Sequence, residues 1–410
     1  MTLPTLADIE LARERVAGAI QETPMELSRF LSSKLGDTVH LKCENLQRTG
    51  AYKIRGAFNL LSELSDEQRE RGVVAASAGN HAQGVAYAAT SLGIKSTIFM
   101  PHGAALPKWQ ATRDYGADIQ MRGLVFQETL AAALEFVRET GATFVPPYDH
   151  PSIIAGQGTV GLEILEQAPD VETVIVPIGG GGLVSGVAIA LKEQAKRLGR
   201  NIRVIGVQSA GAAAFVESLK AGEPTTIAIK PTIADGIAVS RPGDLPFEAV
   251  RDYVDEVLTV DDDAIAGALI VLLERAKLVV EPAGAAGVAA IMQGLVQHAG
   301  NTVVLLSGGN IDPMFMERVI ARGLAASQRY LTMRLSLPDR PGQLAIISQI
   351  VSDEGANVVE VLHTQHDEWT GILDVTLDLS LTTRGVEHSK QVIEALSRAG
   401  YDPQVKLAGR

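Results

Sequence analysis

The segment Val171–Lys192, V-E-T-V-I-V-P-I-G-G-G-G-L-V-S-G-V-A-I-A-L-K, passes from an apolar β-branched run through four glycines into a helical pattern. A strand that ends on a glycine turn and feeds a helix is half of a βαβ unit, which implies a parallel sheet. Gly179–Leu183 lets backbone N–H groups converge on an anion without side-chain obstruction. The helix that follows adds its N-terminal donors and the positive end of its dipole. A flexible linker would not begin on a buried strand and end on a helix. No Lys-Ser/Thr follows the glycines, and the spacing is not that of a dinucleotide fingerprint. A small phosphate ester fits better.

The same alternation extends in both directions. Val73–Ser77, Ser96–Pro101, Ile202–Gln208 and Thr302–Ser307 read as buried strands. His81–Ser91, Phe126–Thr140, Leu183–Leu198 and Ala264–Ala276 read as helices, and right-handed crossovers place them on both faces of the sheets. Asp261-Asp262-Asp263 reads as the cap of the last of these. Near residue 329 the pattern changes. Tyr330–Leu337 alternates as a half-exposed strand and Pro338–Gly342 turns. A helix follows at Gln343–Glu354, then strands at Val358–His366 and Gly371–Leu381, a helix at Val386–Ala399 and a strand at Asp402–Lys406. This βαββαβ order is that of a ferredoxin-like module. Pro313–Gln328 reads as a helix leading into it.

Composition narrows the class. The 410 residues are 46% hydrophobic and 20% charged, with a net charge of -12, so sequence-independent nucleic-acid binding is not expected. A single cysteine, Cys43, leaves no intramolecular disulfide and no CxxC metal site, and a reducing compartment fits. The N-terminus lacks the apolar run of a signal peptide, and Leu278–Met292, interrupted by Glu281 and Pro282, is too short to span a bilayer. A cytoplasmic protein without membrane partners is expected.

Three further segments carry chemistry. Thr49–Phe58, T-G-A-Y-K-I-R-G-A-F, sets one lysine among small and apolar residues. A buried lysine has a depressed pKa and becomes a nucleophilic amine, and the aldehyde that such an amine usually meets is pyridoxal phosphate. Most lysines flanked by apolar residues simply extend to water. Ser77-Ala78-Gly79-Asn80-His81 opens a helix after a strand, where backbone donors suit an amino-acid carboxylate and Asn80 suits a ring oxygen. An ordinary cap by Ser77 or Asn80 explains this stretch equally well. Ser307-Gly308-Gly309-Asn310 ends another strand, where Ser307 either faces a ring nitrogen or is a turn serine. His102, His150, His298 and His388 are scattered, and His363 and His366, three apart on a strand, face opposite ways. No metal is expected. Trp109 and Trp369 read as packing residues.

Taken in order, Tyr52–Ala57, Ser77–Gly84, Ala155–Thr159 (A-G-Q-G-T), Gly179–Leu183 and Ser307–Asn310 resemble threonine dehydratase (threonine ammonia-lyase), across residues 5 to 320. That family has the fold-type II architecture of pyridoxal phosphate (PLP) enzymes, two open parallel-sheet α/β lobes. The tail resembles an ACT domain, a ferredoxin-like amino-acid-sensing module. The resemblance implies a catalytic domain at 1–328, with a smaller lobe at about 53–152 inserted in the larger, and an ACT regulatory domain at 329–410. It implies that Lys53 carries PLP, that Tyr52 packs near its ring and that Asn80 contacts the ring hydroxyl. It further implies that Gly179, Gly180, Gly181, Gly182 and Leu183 hold the phosphate, that Ser307 faces the ring nitrogen, and that Gly236 lies along the ring with Glu281 near it. Ser77, Ala78, Gly79, Asn80 and His81 would bind the substrate carboxylate.

The implied activity is deamination of L-threonine to 2-oxobutyrate and ammonia, with L-serine going to pyruvate, as in isoleucine biosynthesis. The rivals are serine or hydroxyaspartate dehydratase, and serine racemase. Serine racemases carry a second serine where this chain has Ala78, and some bind a divalent cation through acidic residues where it has Gln208 and Ala214. Asp339, Gly342 and Asn357 are the expected effector residues, isoleucine or valine the expected effectors, and a homodimer or homotetramer the expected assembly.

Overall fold

The computed structural model describes residues 1–326, 329–364 and 374–406. It divides into two compact units, Met1–Pro313 and Met314–Arg410. The division falls earlier than the 328/329 limit read from the sequence, and the helix Pro313–Ala326 belongs almost entirely to the second unit.

The first unit opens with β1 (Met25–Leu27) and β2 (Val39–Cys43). Next come β3 (Val73–Ala76), β4 (Ser96–Met100), β5 (Asp118–Met121) and β6 (Thr143–Phe144), followed by β7 (Thr173–Pro177), β8 (Arg203–Ser209), β9 (Glu256–Val260) and β10 (Thr302–Leu306). These strands form two sheets. The larger runs β1-β2-β10-β7-β8-β9 and is parallel except for β1; the smaller runs β5-β4-β3-β6 and is parallel throughout. Every residue of β3, β7 and β10 is buried, as expected for strands covered by helices on both faces. This is a two-lobed α/β architecture with open parallel sheets, as the resemblance implies.

The predicted strands and helices lie within a residue or two of the observed ones, with two exceptions. The Ala264–Ala276 helix begins at Asp262, capped by Asp261, and its last turn, Leu272–Ala276, is a π-helix. Five short strands, β1, β2, β5, β6 and β9, went unread. In β2 the reason is Lys42, which breaks the apolar run yet is fully buried against Glu163.

One helix, Pro151–Gln167, ties the lobes together. Its Ile153 packs in the smaller lobe's core and its Val160 and Ile164 in the larger lobe's. The A-G-Q-G-T stretch makes this possible. A Cβ on Gly156 would come within 2.6 Å of the Gly56 Cα, and one on Gly158 within 2.9 Å of the Gly186 carbonyl. The helices that begin at Lys53 and at Gly182 therefore both rest directly on this third helix.

The second unit contains the helix Pro313–Ala326, then β11 (Tyr330–Pro338), the helix Gln343–Asp353, β12 (Asn357–Thr364), β13 (Asp374–Thr382), the helix Val386–Arg398 and β14 (Gln404–Val405). Its antiparallel sheet runs β12-β13-β11-β14. Leu331, Met333, Leu335 and Leu337, alternating on β11, pack against Ile347, Val351, Val392 and Leu396 of the two later helices. Residues 327–328, His366, Trp369 and the first three residues of the expected Gly371–Leu381 strand lie outside the described residues.

Candidate active site

The site of the first unit forms at the carboxyl ends of β3, β7 and β10, where ligands bind in open α/β sheets. Lys53 is the first residue of the helix Lys53–Ser62, and backbone bonds hold it against the end of β10. Tyr52 N donates to the Ser307 carbonyl at 3.2 Å, Gly309 N donates to the Gly50 carbonyl at 2.8 Å, and Ala51 bridges Gly308. The Lys53 Nζ donates to the carbonyl of Pro147 at 2.8 Å and lies 5.2 Å from the centre of the Tyr52 ring. Burial pushes its pKa down to about 8, against the opposing charge of Glu281.

Glu281 is the second unusual group. It ends the extended segment before the helix Pro282–Met292, its residue 6% exposed. Burial, then the charge of Asp235, push its carboxyl up to about 7, against Lys108, a hydrogen bond from Asn80, and Lys53. Asn80 Nδ2 donates to Glu281 Oε1 at 2.8 Å. Gly236 is packed against the same carboxylate, since a Cβ there would sit 3.6 Å from Glu281 Oε1.

The glycine loop joins this group from the other side. Gly181 adopts φ 98° and begins the helix Gly182–Arg197, which no side chain caps. A Cβ on Gly179 would meet Ile237 Cα at 3.0 Å, so the Asp235–Ile237 turn lies on the loop, and Leu183 is buried behind it. Tyr148, which the sequence reading did not single out, covers Gly180 and Gly182 so closely that a side chain at either would overlap its atoms. Tyr148 follows Pro147, the acceptor for Lys53, so the loop and the lysine are neighbours through one dipeptide.

The Ser77–His81 stretch forms no ordinary helix cap. Ser77 Oγ accepts from Gly79 N at 3.1 Å, Asn80 turns its amide to Glu281, and no side chain caps the helix Asn80–Ser91. Its first backbone N–H groups are thus left without side-chain partners. Ala78 is half-buried against the smaller lobe's core. The His81 ring points away, Nε2 bonded to the Val145 carbonyl at 2.9 Å, and burial and Lys53 push its pKa down to about 3. Only the backbone of His81 is available to a carboxylate.

Gln208 is occupied structurally. Its Oε1 accepts from Phe215 N at 3.0 Å and Val216 N at 3.4 Å, fastening the start of the helix Ala214–Ala221. Trp109 packs against the smaller lobe's core under Arg113.

A partly desolvated lysine, an uncapped glycine-flanked helix and a second uncapped helix entrance fit a cofactor that joins an aldehyde to a phosphate. Residues 16–308 match the family model of the pyridoxal-phosphate dependent enzymes, and the chain belongs to that family, whose cofactor is PLP. More particularly, it is 45% identical to the L-threonine ammonia-lyase of Thermotoga maritima over 98% of this chain and 99% of that one. It is 49% identical to the L-threonine dehydratase catabolic TdcB of Escherichia coli over 74% of this chain and 92% of that one. Among solved structures, threonine deaminase isoform 2 of Solanum lycopersicum superposes with a TM-score of 0.73 at 34% identity, over 78% of this chain and 96% of that one.

Proposed function

We propose that this chain deaminates L-threonine to 2-oxobutyrate and ammonia, and L-serine to pyruvate. The observation that carries the reading is the Lys53 amine, held at about pKa 8 on the Pro147 carbonyl inside a glycine-loop cleft. Near-full-length similarity to threonine ammonia-lyases supports the choice of substrate.

The residues divide the work. PLP supplies an aldehyde for the substrate nitrogen and a ring that withdraws electrons from the α-carbon. With the cofactor bound, Gly179–Leu183 and the uncapped helix behind them would hold its phosphate, Ser307 would face the ring nitrogen, Asn80 the ring oxygen, and Tyr52 and Gly236 would flank the ring. Ser77, Ala78, Gly79, Asn80 and the backbone of His81 bind the substrate carboxylate with the uncapped N–H groups. Once the substrate nitrogen has displaced it, the freed Lys53 amine, its pKa pushed down to about 8 by burial, would remove the α-proton as general base. Departure of the β-hydroxyl with a proton completes the loss of water, and hydrolysis of the resulting enamine gives the oxo acid and ammonia. Ala78 carries no hydroxyl where serine racemases have a second serine, so elimination is favoured over racemisation.

Ammonia release from L-threonine, L-serine and 3-hydroxyaspartate tests this reading. Threonine is expected to be the best substrate, and a Lys53→Ala protein to be inactive. Faster turnover of 3-hydroxyaspartate would overturn the assignment.

The second unit supports a regulatory ACT domain. Its strand order is ferredoxin-like, and a cavity of about 330 Å³ is lined by Leu337–Leu344, His363, Val375 and Leu377. Asp339 and Gly342 line this cavity; Asn357, at the exposed start of β12, does not. The reading assigns residues 1–328, including the smaller lobe at 53–152, to catalysis and 329–410 to regulation by isoleucine or valine. The assembly is a cytoplasmic homodimer or homotetramer. No helix among the described residues is long and apolar enough to cross a membrane. Truncation after residue 328 is expected to abolish any response of the kinetics to isoleucine or valine; an unaltered response would remove the regulatory role.

A further inference from the structure

We propose that Asn310 is a positioning residue for the cofactor, locking the Asn80 side chain so that its nitrogen, and never its oxygen, faces the Glu281 side of the cleft. The proposal rests on the reading of Asn80 as the ring-oxygen contact.

The direction of the hydrogen bonds follows from their ends. The Thr49 carbonyl can only accept, so the Asn310 atom 2.7 Å from it is Nδ2. That same nitrogen lies 2.9 Å from the Asn80 amide, and because it can only donate, the Asn80 atom it meets is Oδ1. Asn80 Nδ2 then lies on the other side, 2.8 Å from Glu281 Oε1. A longer contact, 3.4 Å, runs from Asn310 Nδ2 to Gln83 Oε1 and leaves this order unchanged. The Asn80 nitrogen carries two hydrogens, of which Glu281 takes one and the other would be left for the ring oxygen of a bound cofactor.

Room for Asn310 is built into the chain. Gly50 adopts φ 71°, and a Cβ there would overlap the Asn310 amide. The bond from Gly309 N to the Gly50 carbonyl, 2.8 Å, brings the two segments together. The Gly50 of T-G-A-Y-K and the Asn310 of S-G-G-N are thus parts of one device.

Glu281 cannot perform this orientation alone. The carboxyl is acted on by Asp235, Lys108, Asn80 and Lys53, and with burial these bring it to about 7, so both protonation states occur near neutrality. Ionised, it accepts and demands the Asn80 nitrogen. Protonated, it can donate, and an Asn80 oxygen would satisfy it equally well. Asn310, which does not titrate, removes that ambiguity.

The test is titration of the full-length apoprotein with pyridoxal phosphate at pH 6 and pH 8, followed by the absorbance of the bound cofactor. Asn310→Ala is expected to weaken binding about five- to tenfold relative to wild type at pH 6, and by less than about twofold at pH 8, where ionised Glu281 orients Asn80 unaided. Asn310→Asp, which keeps the shape but has no hydrogen to donate, is the second variant and should also show its larger loss at pH 6. Asn80→Ala should weaken binding at both pH values. Equal losses at the two pH values for both Asn310 variants would mark a merely structural role and overturn the proposal. Wild-type affinity in both, with Asn80→Ala weakened, would overturn it and leave the Asn80 reading intact. Wild-type affinity in Asn80→Ala would remove the Asn80 reading and the proposal with it.

Discussion

Two buried charged clusters lie two residues apart on one helix, and they behave oppositely. Arg55, fully buried, bonds Glu44 through Nε at 2.8 Å and Nη2 at 2.7 Å, and Glu163 through Nη1 at 2.6 Å and Nη2 at 2.9 Å. Lys42 Nζ completes the set on Glu163 at 2.7 Å, and Thr23 donates to Glu44 at 2.6 Å. Two cations face two anions at hydrogen-bond distance. Burial works against the charge on Glu44, yet Arg55 more than offsets it and holds the carboxyl below its usual range. Around Lys53 and Glu281 the balance is reversed, because no direct ion pair joins them, and burial moves the amine down to about 8 and the carboxyl up to about 7. Saturated pairing builds scaffold, and withheld pairing leaves groups able to exchange protons at neutral pH.

The sharpest break removes Lys53. Lys53→Ala should lower the deamination rate by at least about a thousandfold and abolish the absorbance of bound cofactor, while urea unfolding of the apoprotein is unchanged or slightly improved. The under-paired amine contributes chemistry and little cohesion.

Arg55→Ala should do the reverse. Leaving Glu44 buried without its paired cation, and Glu163 with Lys42 alone, costs about 3–5 kcal/mol in unfolding free energy. Chemical denaturation measures it, and a loss below about 1 kcal/mol would mean that the cluster is not a scaffold.

How these clusters stood in the sequence differs as much as their chemistry. The lysine, the glycine loop and the strand ends were legible because strand, turn and helix signals are local. Arg55 was quoted in the same ten residues as Lys53, yet its partners were not readable, since Glu163 lies 108 positions away and the contact is purely tertiary. A signal did exist, because an arginine beside glycine and alanine on an apolar helix face requires buried acids. The Pro147 carbonyl left no such trace, being a backbone acceptor that any residue supplies. Ser77 and Asn80 read equally well as caps or as ligand groups, because the acceptor to which Asn80 turns its amide, Glu281, lies 201 positions away.

Apoprotein stability gives a third, smaller contrast. Glu281 has a folded-state pKa above its ordinary 4.5, so the folded chain binds more protons than the unfolded one between pH 4.5 and about 7. Its contribution is favourable at the acid end of that window and is lost as pH rises through it, by roughly 3 kcal/mol. Unfolding free energies of wild type and Glu281→Gln, measured at pH 4.5 and pH 7.5, should diverge by about that amount, with the variant the more stable at pH 7.5. Parallel pH profiles would show that the carboxyl is not held up as described.

The smallest expected effect concerns the salt bridge that reaches this cluster from the smaller lobe. Lys108 Nζ meets Asp235 Oδ2 at 2.9 Å, with the aspartate largely exposed. A pair so open to solvent contributes only about 0.2–1 kcal/mol, and Lys108→Ala should scarcely alter unfolding. Its charge nevertheless pulls the Glu281 carboxyl down while Asp235 pushes it up. Lys108→Ala should therefore raise the Glu281 pKa and Asp235→Asn lower it, each by a fraction of a unit. A ¹³C titration of the side-chain carboxyl, assigned by comparison with Glu281→Gln, reads both shifts. Opposite signs in the two variants, shrinking as salt is added, would show that an exposed pair tunes the proton affinity of an under-paired buried acid. Shifts of the same sign would instead point to a change in the packing around Glu281.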